Sequence, residues 1–158
     1  MNAGKIAAGV LVLSGIVAGA AIWWLQVYAY YEPAAFTPGA EIALTPLGGG
    51  APEVIVADNV EGVDAGSSPL RFRACFTTPL SQAMLTETYA MYDKPTPLVG
   101  PGWFSCYDAG RIDAALETGE ALAFLSVHDI HPGIDRVVAV FPDGRAYAWH
   151  QLNGEVAD

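Results

Sequence analysis

The chain has 158 residues, with 17 aspartates and glutamates against seven lysines and arginines, which gives a formal net charge of −10. This acidity argues against nucleic acid as a partner, because phosphate backbones bind basic surfaces. The length allows one folded domain in addition to a membrane segment.

A long apolar segment opens the chain. Residues 6–25 carry no charge and are almost all apolar, and Lys5 lies directly before them. About 20 such residues in a helix match the ~30 Å hydrocarbon core of a bilayer. The segment ends in aromatic residues of the kind that favour the headgroup level, namely Trp23, Trp24, Tyr28, Tyr30 and Tyr31. We therefore predict that residues 1–31 form a transmembrane anchor in the lipid bilayer.

The flanking charges predict the orientation of this anchor. Lys5 precedes it, and the next basic residue is Arg71. The positive-inside rule then predicts a short cytoplasmic N-terminus and an extracytoplasmic remainder. The alternative is a cleaved signal peptide, but the apolar run is longer than the usual hydrophobic region of about 7–15 residues.

Small residues recur along one side of the predicted helix. Gly15 and Gly19 form a G-x-x-x-G pair, and Ala8 and Ala18 extend the stripe. Small side chains let two membrane helices approach closely. We expect this stripe to contact another membrane helix, either an integral membrane subunit or a second copy of the chain.

Residues 32–69 are predicted to be a linker with a short hairpin. Alternation at 41–45 and an apolar run at 54–57 predict two short strands, with Gly48, Gly49 and Gly50 between them. Glycine reaches the positive φ values that tight turns require. Residues 58–69 are rich in turn-forming residues.

Residues 70–158 are predicted to form one small α+β domain, with an antiparallel sheet and two helices. Alternation and buried runs predict strands at 70–76, 121–127, 136–141 and 145–152. Capping residues predict helices over 78–92 and 108–119. The Pro142-Asp143-Gly144 turn joins the last two strands as a hairpin.

Two cysteines, Cys75 and Cys106, are present. An even number of cysteines outside the cytoplasm predicts a disulfide. A metal or redox pair is the alternative, and it is disfavoured because the two are not spaced as C-x-x-C.

The SVHDIHPG segment contains the candidate metal ligands His128, Asp129 and His131, with His150 further along the chain. Imidazole and carboxylate groups bind zinc or copper. A strand end does not bring H-x-x-H onto one face as a helix does, so exposed turn residues are the alternative interpretation.

Two further sets are candidate partner contacts. Arg71 and Arg73 are predicted to project from one face of a strand and to form an anion or partner site; ion pairing on a solvated face is the alternative. Tyr147 and Trp149 share one face of the last strand. They either close the core or form a contact patch.

No catalytic motif is found in the sequence. It contains no G-x-S-x-G, no phosphate-binding loop, no dinucleotide fingerprint and no haem-attachment signature. We therefore predict a protein that is not an enzyme and that has no cofactor.

Three stretches resemble a family of uncharacterised single-pass membrane proteins from alphaproteobacteria. They are SSPLRFRACFTTPLSQAMLTETY, PLVGPGWFSCYDA and GIDRVVAVFPDGRAYAWHQLN. Some members of that family carry the label histidine kinase, which the chain does not support, since it has no ATP-binding glycine box. The resemblance implies a bacterial inner-membrane protein with a periplasmic domain, and it implies no mechanism.

Together these features predict a non-catalytic accessory, or supernumerary, subunit or an assembly subunit of an inner-membrane complex, in particular a respiratory one. Its partners would be integral membrane subunits and a cationic periplasmic protein such as a cytochrome c, drawn to the acidic domain. The alternative is a periplasmic ligand- or metal-binding module tethered to the membrane.

Overall fold

The computed structural model describes residues 2–154. Helix α1 (Ala3–Trp24) is 22 residues long and continues into a π-helical turn over Leu25–Ala29. No residue of α1 is buried, and the helix with its π-helical turn is long and apolar enough to cross a membrane. The predicted long apolar N-terminal helix is confirmed.

Six antiparallel strands form the main sheet in the order β1-β4-β5-β8-β7-β6. Their bounds are β1 Glu32–Pro33, β4 Asp58–Asp64, β5 Arg73–Thr77, β6 Leu122–His131, β7 Ile134–Val140 and β8 Arg145–Leu152. A separate hairpin pairs β2 (Ala43–Leu44) with β3 (Glu53–Val54). This small antiparallel sheet domain with two further helices confirms the predicted α+β class.

Helices α2 (Gln82–Thr88) and α3 (Ala109–Thr118) begin at side-chain caps. Ser81 Oγ accepts from the Met84 amide, and Asp108 Oδ1 accepts from the Arg111 amide. Gly119 ends α3 with φ of 75°, a left-handed conformation that glycine adopts without a steric penalty.

The alternation along the strands divides the sheet between two cores. Val138 and Val140 face a first core, and Val137 and Ala139 face a second. The β2–β3 hairpin and α2 cover the first core with Ile42, Leu44, Ile55, Leu85 and Tyr89. Helix α3 and the loop before it cover the second core with Phe104, Tyr107, Ala109, Ile112 and Ala115.

Residues before 70 take part in this domain. Strand β4 crosses the segment predicted as turns and pairs with β5. Ile42 and Leu44 are 1% and 0% exposed. The sheet and its cores therefore include residues on both sides of the boundary predicted at residue 69.

Two predicted elements are shorter in the structure. Residues Pro69–Arg71 form a 3-10 turn, so the strand predicted at 70–76 begins at Arg73. The helix predicted over 78–92 begins at Gln82, because Ser81 supplies the cap, and it ends at Thr88. Beyond it, Tyr89 has extended backbone and pairs with Pro46.

Candidate functional site

A polar cluster lies where β6 turns into β7. Strand β6 is irregular between Val127 and His131, and Asp129 has φ of 47° there. This left-handed conformation is uncommon for a residue other than glycine. Two hydrogen bonds hold it: the Asp129 amide donates to Asp135 Oδ1 at 2.9 Å, and Asp129 Oδ1 accepts from the Gly133 amide at 3.0 Å.

His128 lies between two carboxylates of this cluster. Its Nδ1 is 3.0 Å from Asp135 Oδ1, and its Nε2 is 3.6 Å from Asp129 Oδ2. The Nδ1 atom is thus within hydrogen-bond distance of Asp135, and the Nε2 atom faces Asp129. Histidine ligands of metals are commonly oriented in this way by a carboxylate on the other ring nitrogen. The ligand atoms of His128, Asp129 and Asp135 all lie within 4.8 Å of one another.

Asp135 connects the cluster to the neighbouring elements. It is 3% exposed. Its Oδ2 accepts from the Tyr92 hydroxyl at 3.1 Å, and its Oδ1 accepts from Asn153 Nδ2 at 3.1 Å. A buried carboxylate requires such donors, because desolvation without them is costly. These bonds fix the carboxylate that orients His128.

His131 and His150 lie outside the cluster, in contrast to the predicted ligand set. His131 is exposed. His150 is 2% exposed, and both its ring nitrogens are engaged: Nδ1 donates to the Pro69 carbonyl at 2.6 Å, and Nε2 accepts from Arg136 Nε at 3.0 Å. Burial is the main cause that lowers the pKa of His150 to about 4. A histidine with both nitrogens occupied has no lone pair for a metal.

The two predicted partner-site arginines do not project from one strand face, because Arg71 lies in the 3-10 turn before β5. Arg73 is 3% exposed and donates to backbone carbonyls. Burial lowers its pKa from the ordinary value. Both residues line one cleft of about 510 Å³ beside the end of α1.

Trp149 is 0% exposed, so it is a core residue and not a contact for a partner. Its indole N–H donates to Gln151 Oε1 at 2.9 Å. Tyr147 is half-buried, and its ring packs edge-to-face on Tyr107 and Phe141. The pleat of β8 directs the side chains of Tyr147 and Trp149 into the second core.

Trp103 forms a junction between the end of α1 and the sheet domain, a site that the sequence did not indicate. The Trp103 indole N–H donates to the Val27 carbonyl at 2.7 Å. The ring also stacks on Tyr28 and lies edge-on to Tyr31. Trp103 is three residues from Cys106, whose disulfide to Cys75 ties this loop to β5. The end of α1 is therefore attached to the sheet.

Comparison with known families gives a match over most of the chain. A family of unknown function, DUF6446, matches residues 42–157, so the chain belongs to that family. This confirms the expected membership of an uncharacterised family. No curated protein and no solved structure matches the chain.

Proposed function

We propose that this DUF6446 protein is a non-catalytic accessory or assembly subunit of an inner-membrane complex, in particular a respiratory one. In this proposal α1 crosses the membrane, and the sheet domain lies on the periplasmic side. The supporting observation is that α1 is exposed along its length while its end is held to the domain by Trp103. The helix thus leaves its sides available to other membrane subunits.

The small-residue stripe supports a helix–helix contact. A Cβ added at Gly15 or Gly19 would meet nothing within 4 Å. Membrane helices associate through small residues that let their backbones approach. Since these glycines have no close contact within the described chain, their packing role would belong to a partner helix.

Two observations support the sidedness of the proposal. Lys5 lies in the first turn of α1, directly before the apolar run, as the positive-inside rule requires of a cytoplasmic end. The Cys75–Cys106 disulfide favours an oxidising compartment for the domain.

Residues 32–158 contain 17 acidic and six basic residues, a formal charge of −11 that would attract a cationic partner such as a cytochrome c.

We expect the tagged full-length protein, solubilised in digitonin, to co-purify with integral membrane proteins in a fixed ratio. The double variant Gly15→Leu/Gly19→Leu should lose these companions, because leucine would hold the partner backbone away. Quantitative mass spectrometry of the purified fractions measures this ratio. Resistance of the wild type to carbonate extraction checks that it is membrane-integrated.

The matched control is Ala20→Leu, which makes the same small-to-large change away from the stripe. It should retain the companions. Recovery of the wild-type protein alone, as a monomer, would contradict the proposal. If the control and the double variant lose their companion proteins equally, the small-residue stripe has no specific role in the contact.

A second candidate function, a membrane-tethered metal-binding module, is favoured by the carboxylate-oriented His128. Titration of the full-length protein with Zn²⁺ and with Cu²⁺ should then give one equivalent bound at micromolar concentration. His128→Gln should abolish binding, whereas His131→Gln should not, because His131 lies outside the cluster. Absence of binding at micromolar metal would exclude this function.

A further inference from the structure

A cleft containing two arginines lies where the domain meets the end of α1. Its volume is about 510 Å³. One wall is formed by the end of the helix, and the others by the 3-10 turn, the start of β5 and the loop before Trp103. The lining residues used below are Gln26, Val27, Tyr31, Arg71, Arg73 and Val99. No acidic residue is among the residues that line it.

Arg73 brings a buried positive charge to this cleft. Its guanidinium donates to the carbonyls of Leu70, Phe72, Leu98 and Val99, at 2.6 to 3.0 Å. These bonds use four of its five N–H groups and leave one on Nη2. Within residues 2–154 no carboxylate forms a salt bridge with it, so the carbonyl dipoles are its direct partners, and Asp64 acts on its charge only from beyond salt-bridge distance.

Arg71 brings a donor without a partner. Its guanidinium carbon lies 5.4 Å from the centre of the Tyr31 ring. Its Nη1 atom is shielded from solvent and makes no hydrogen bond in the described part of the chain. An unsatisfied buried donor on a charged group is unfavourable, so a rotation of the Arg71 side chain that brings this N–H onto an anion in the cleft is favoured.

The cleft lies at the height of the lipid headgroups. Residues 6–25 span about 30 Å as a helix, the thickness of the hydrocarbon core. Gln26 and Val27 follow directly after them and line the cleft. Tyr28 and Trp103 stack beside it, as aromatic rings do at the headgroup level. The arginines therefore face the layer that contains the lipid phosphates.

We propose that this cleft binds the phosphate of an anionic phospholipid from the leaflet at the end of α1. Arg71 donates to the phosphate oxygens, since guanidinium groups match their geometry. Arg73 adds charge and its remaining N–H. The apolar side chains of Val27 and Val99 adjoin the glycerol region. The inference rests on the membrane anchorage in the proposed function, but not on any partner subunit.

The negative charge of the rest of the domain opposes non-specific binding to anionic lipids. A formal charge of −11 over residues 32–158 repels an anionic bilayer in general. A lipid is therefore held by one cationic cleft and not by a broad basic surface. Binding should be saturable, with one lipid for each chain.

Native mass spectrometry of the full-length protein in detergent tests the proposal. The protein is titrated with dioctanoyl phosphatidylglycerol, with dioctanoyl phosphatidylcholine, and with inorganic phosphate. We expect one phosphatidylglycerol per chain, bound more tightly than phosphatidylcholine. Inorganic phosphate should bind far more weakly than the anionic lipid, because it makes no contact with the apolar wall.

Two variant pairs locate the site. Arg71→Gln should weaken phosphatidylglycerol binding on the order of tenfold, the value of one hydrogen bond to a charged group. The exposed Arg111→Gln serves as its control and should bind as the wild type does. Val99→Glu should also weaken binding by placing a carboxylate at the cleft, whereas Val99→Gln should not.

The Val99 pair keeps the test decisive if Arg71→Gln lowers the yield of folded protein. Val99 is 81% exposed, so its side chain carries little packing. Equal binding of the two lipids, phosphate binding as tight as the anionic lipid, or unchanged binding in Val99→Glu would overturn the proposal. The proteins that co-purify in digitonin test the accessory-subunit proposal, whereas lipid binding tests the cleft. Either proposal can therefore fail without the other.

Discussion

Replacing Cys75 and Cys106 with alanine is expected to lower the free energy of unfolding of the domain by about 4 kcal/mol, because the disulfide closes a loop of about 30 residues. The two half-cystines are 31 residues apart in sequence. Opening the loop raises the entropy of the unfolded chain. Denaturant titration of the full-length protein in detergent, followed by tryptophan fluorescence, measures the difference.

The same change should also loosen the junction between α1 and the domain, because the loop that carries Trp103 then loses its covalent link to β5 and keeps only the Arg73 hydrogen bonds and side-chain packing. Reduction of the wild type with a thiol should reproduce the loss of stability. The matched control is Ser105→Ala, in the same loop and exposed. A loss below about 1 kcal/mol, the scale of an ordinary surface change, would contradict the expectation.

Lowering the pH from 7.5 to 5 is expected to remove about 2 kcal/mol of stability through His150 alone. Burial lowers the pKa of His150 to about 4 in the folded protein, whereas an unperturbed histidine has a pKa of about 6.5. Between these values the unfolded chain binds a proton that the folded chain does not. The stability that the neutral, buried His150 contributes is therefore fully present above pH 6.5 and is lost as the pH falls toward 4.

His150→Gln isolates this contribution. Glutamine can donate to the Pro69 carbonyl and accept from Arg136, as His150 does, but it does not titrate. The thermal unfolding temperature of each full-length protein is measured from pH 7.5 to 5. It should decrease less for the variant than for the wild type. His131→Gln, an exposed change beside His150, removes a minor cause of the lowered pKa and should therefore alter the pH dependence far less than His150→Gln does. Parallel curves for all three proteins would contradict the assignment.

Local signals were sufficient for the regular parts of the fold. Alternation with a Pro-Asp-Gly turn located β8 at its observed bounds, and Asp108 and Gly119 located both ends of α3. Strand β4 was missed because only one of its seven residues is buried and because it carries polar residues and glycine. Tertiary contact explains Gly62 in that strand: a Cβ there would lie 2.6 Å from the Phe36 ring.

The candidate site was only partly predictable, because its members meet through pairing across a bulged hairpin. His128 and Asp129 were visible as a local motif, whereas Asp135 joins them only through the β6–β7 turn. The burial of Arg73 had no sequence signal either. Carbonyl oxygens compensate its charge, and every residue contributes those regardless of its side chain.

Both margins of the six-stranded sheet, in the described residues 2–154, are partly blocked to a further strand. Strand β1 is only two residues long and ends in Pro33, which lacks an amide donor. Along β6, Leu125 and Ala123 already bond to residues 45, 90 and 92. Exposed strand edges would let copies of the chain pair edge to edge. The short β1 and the bonded part of β6 counter such pairing, and they leave little sheet edge for strand addition by another protein.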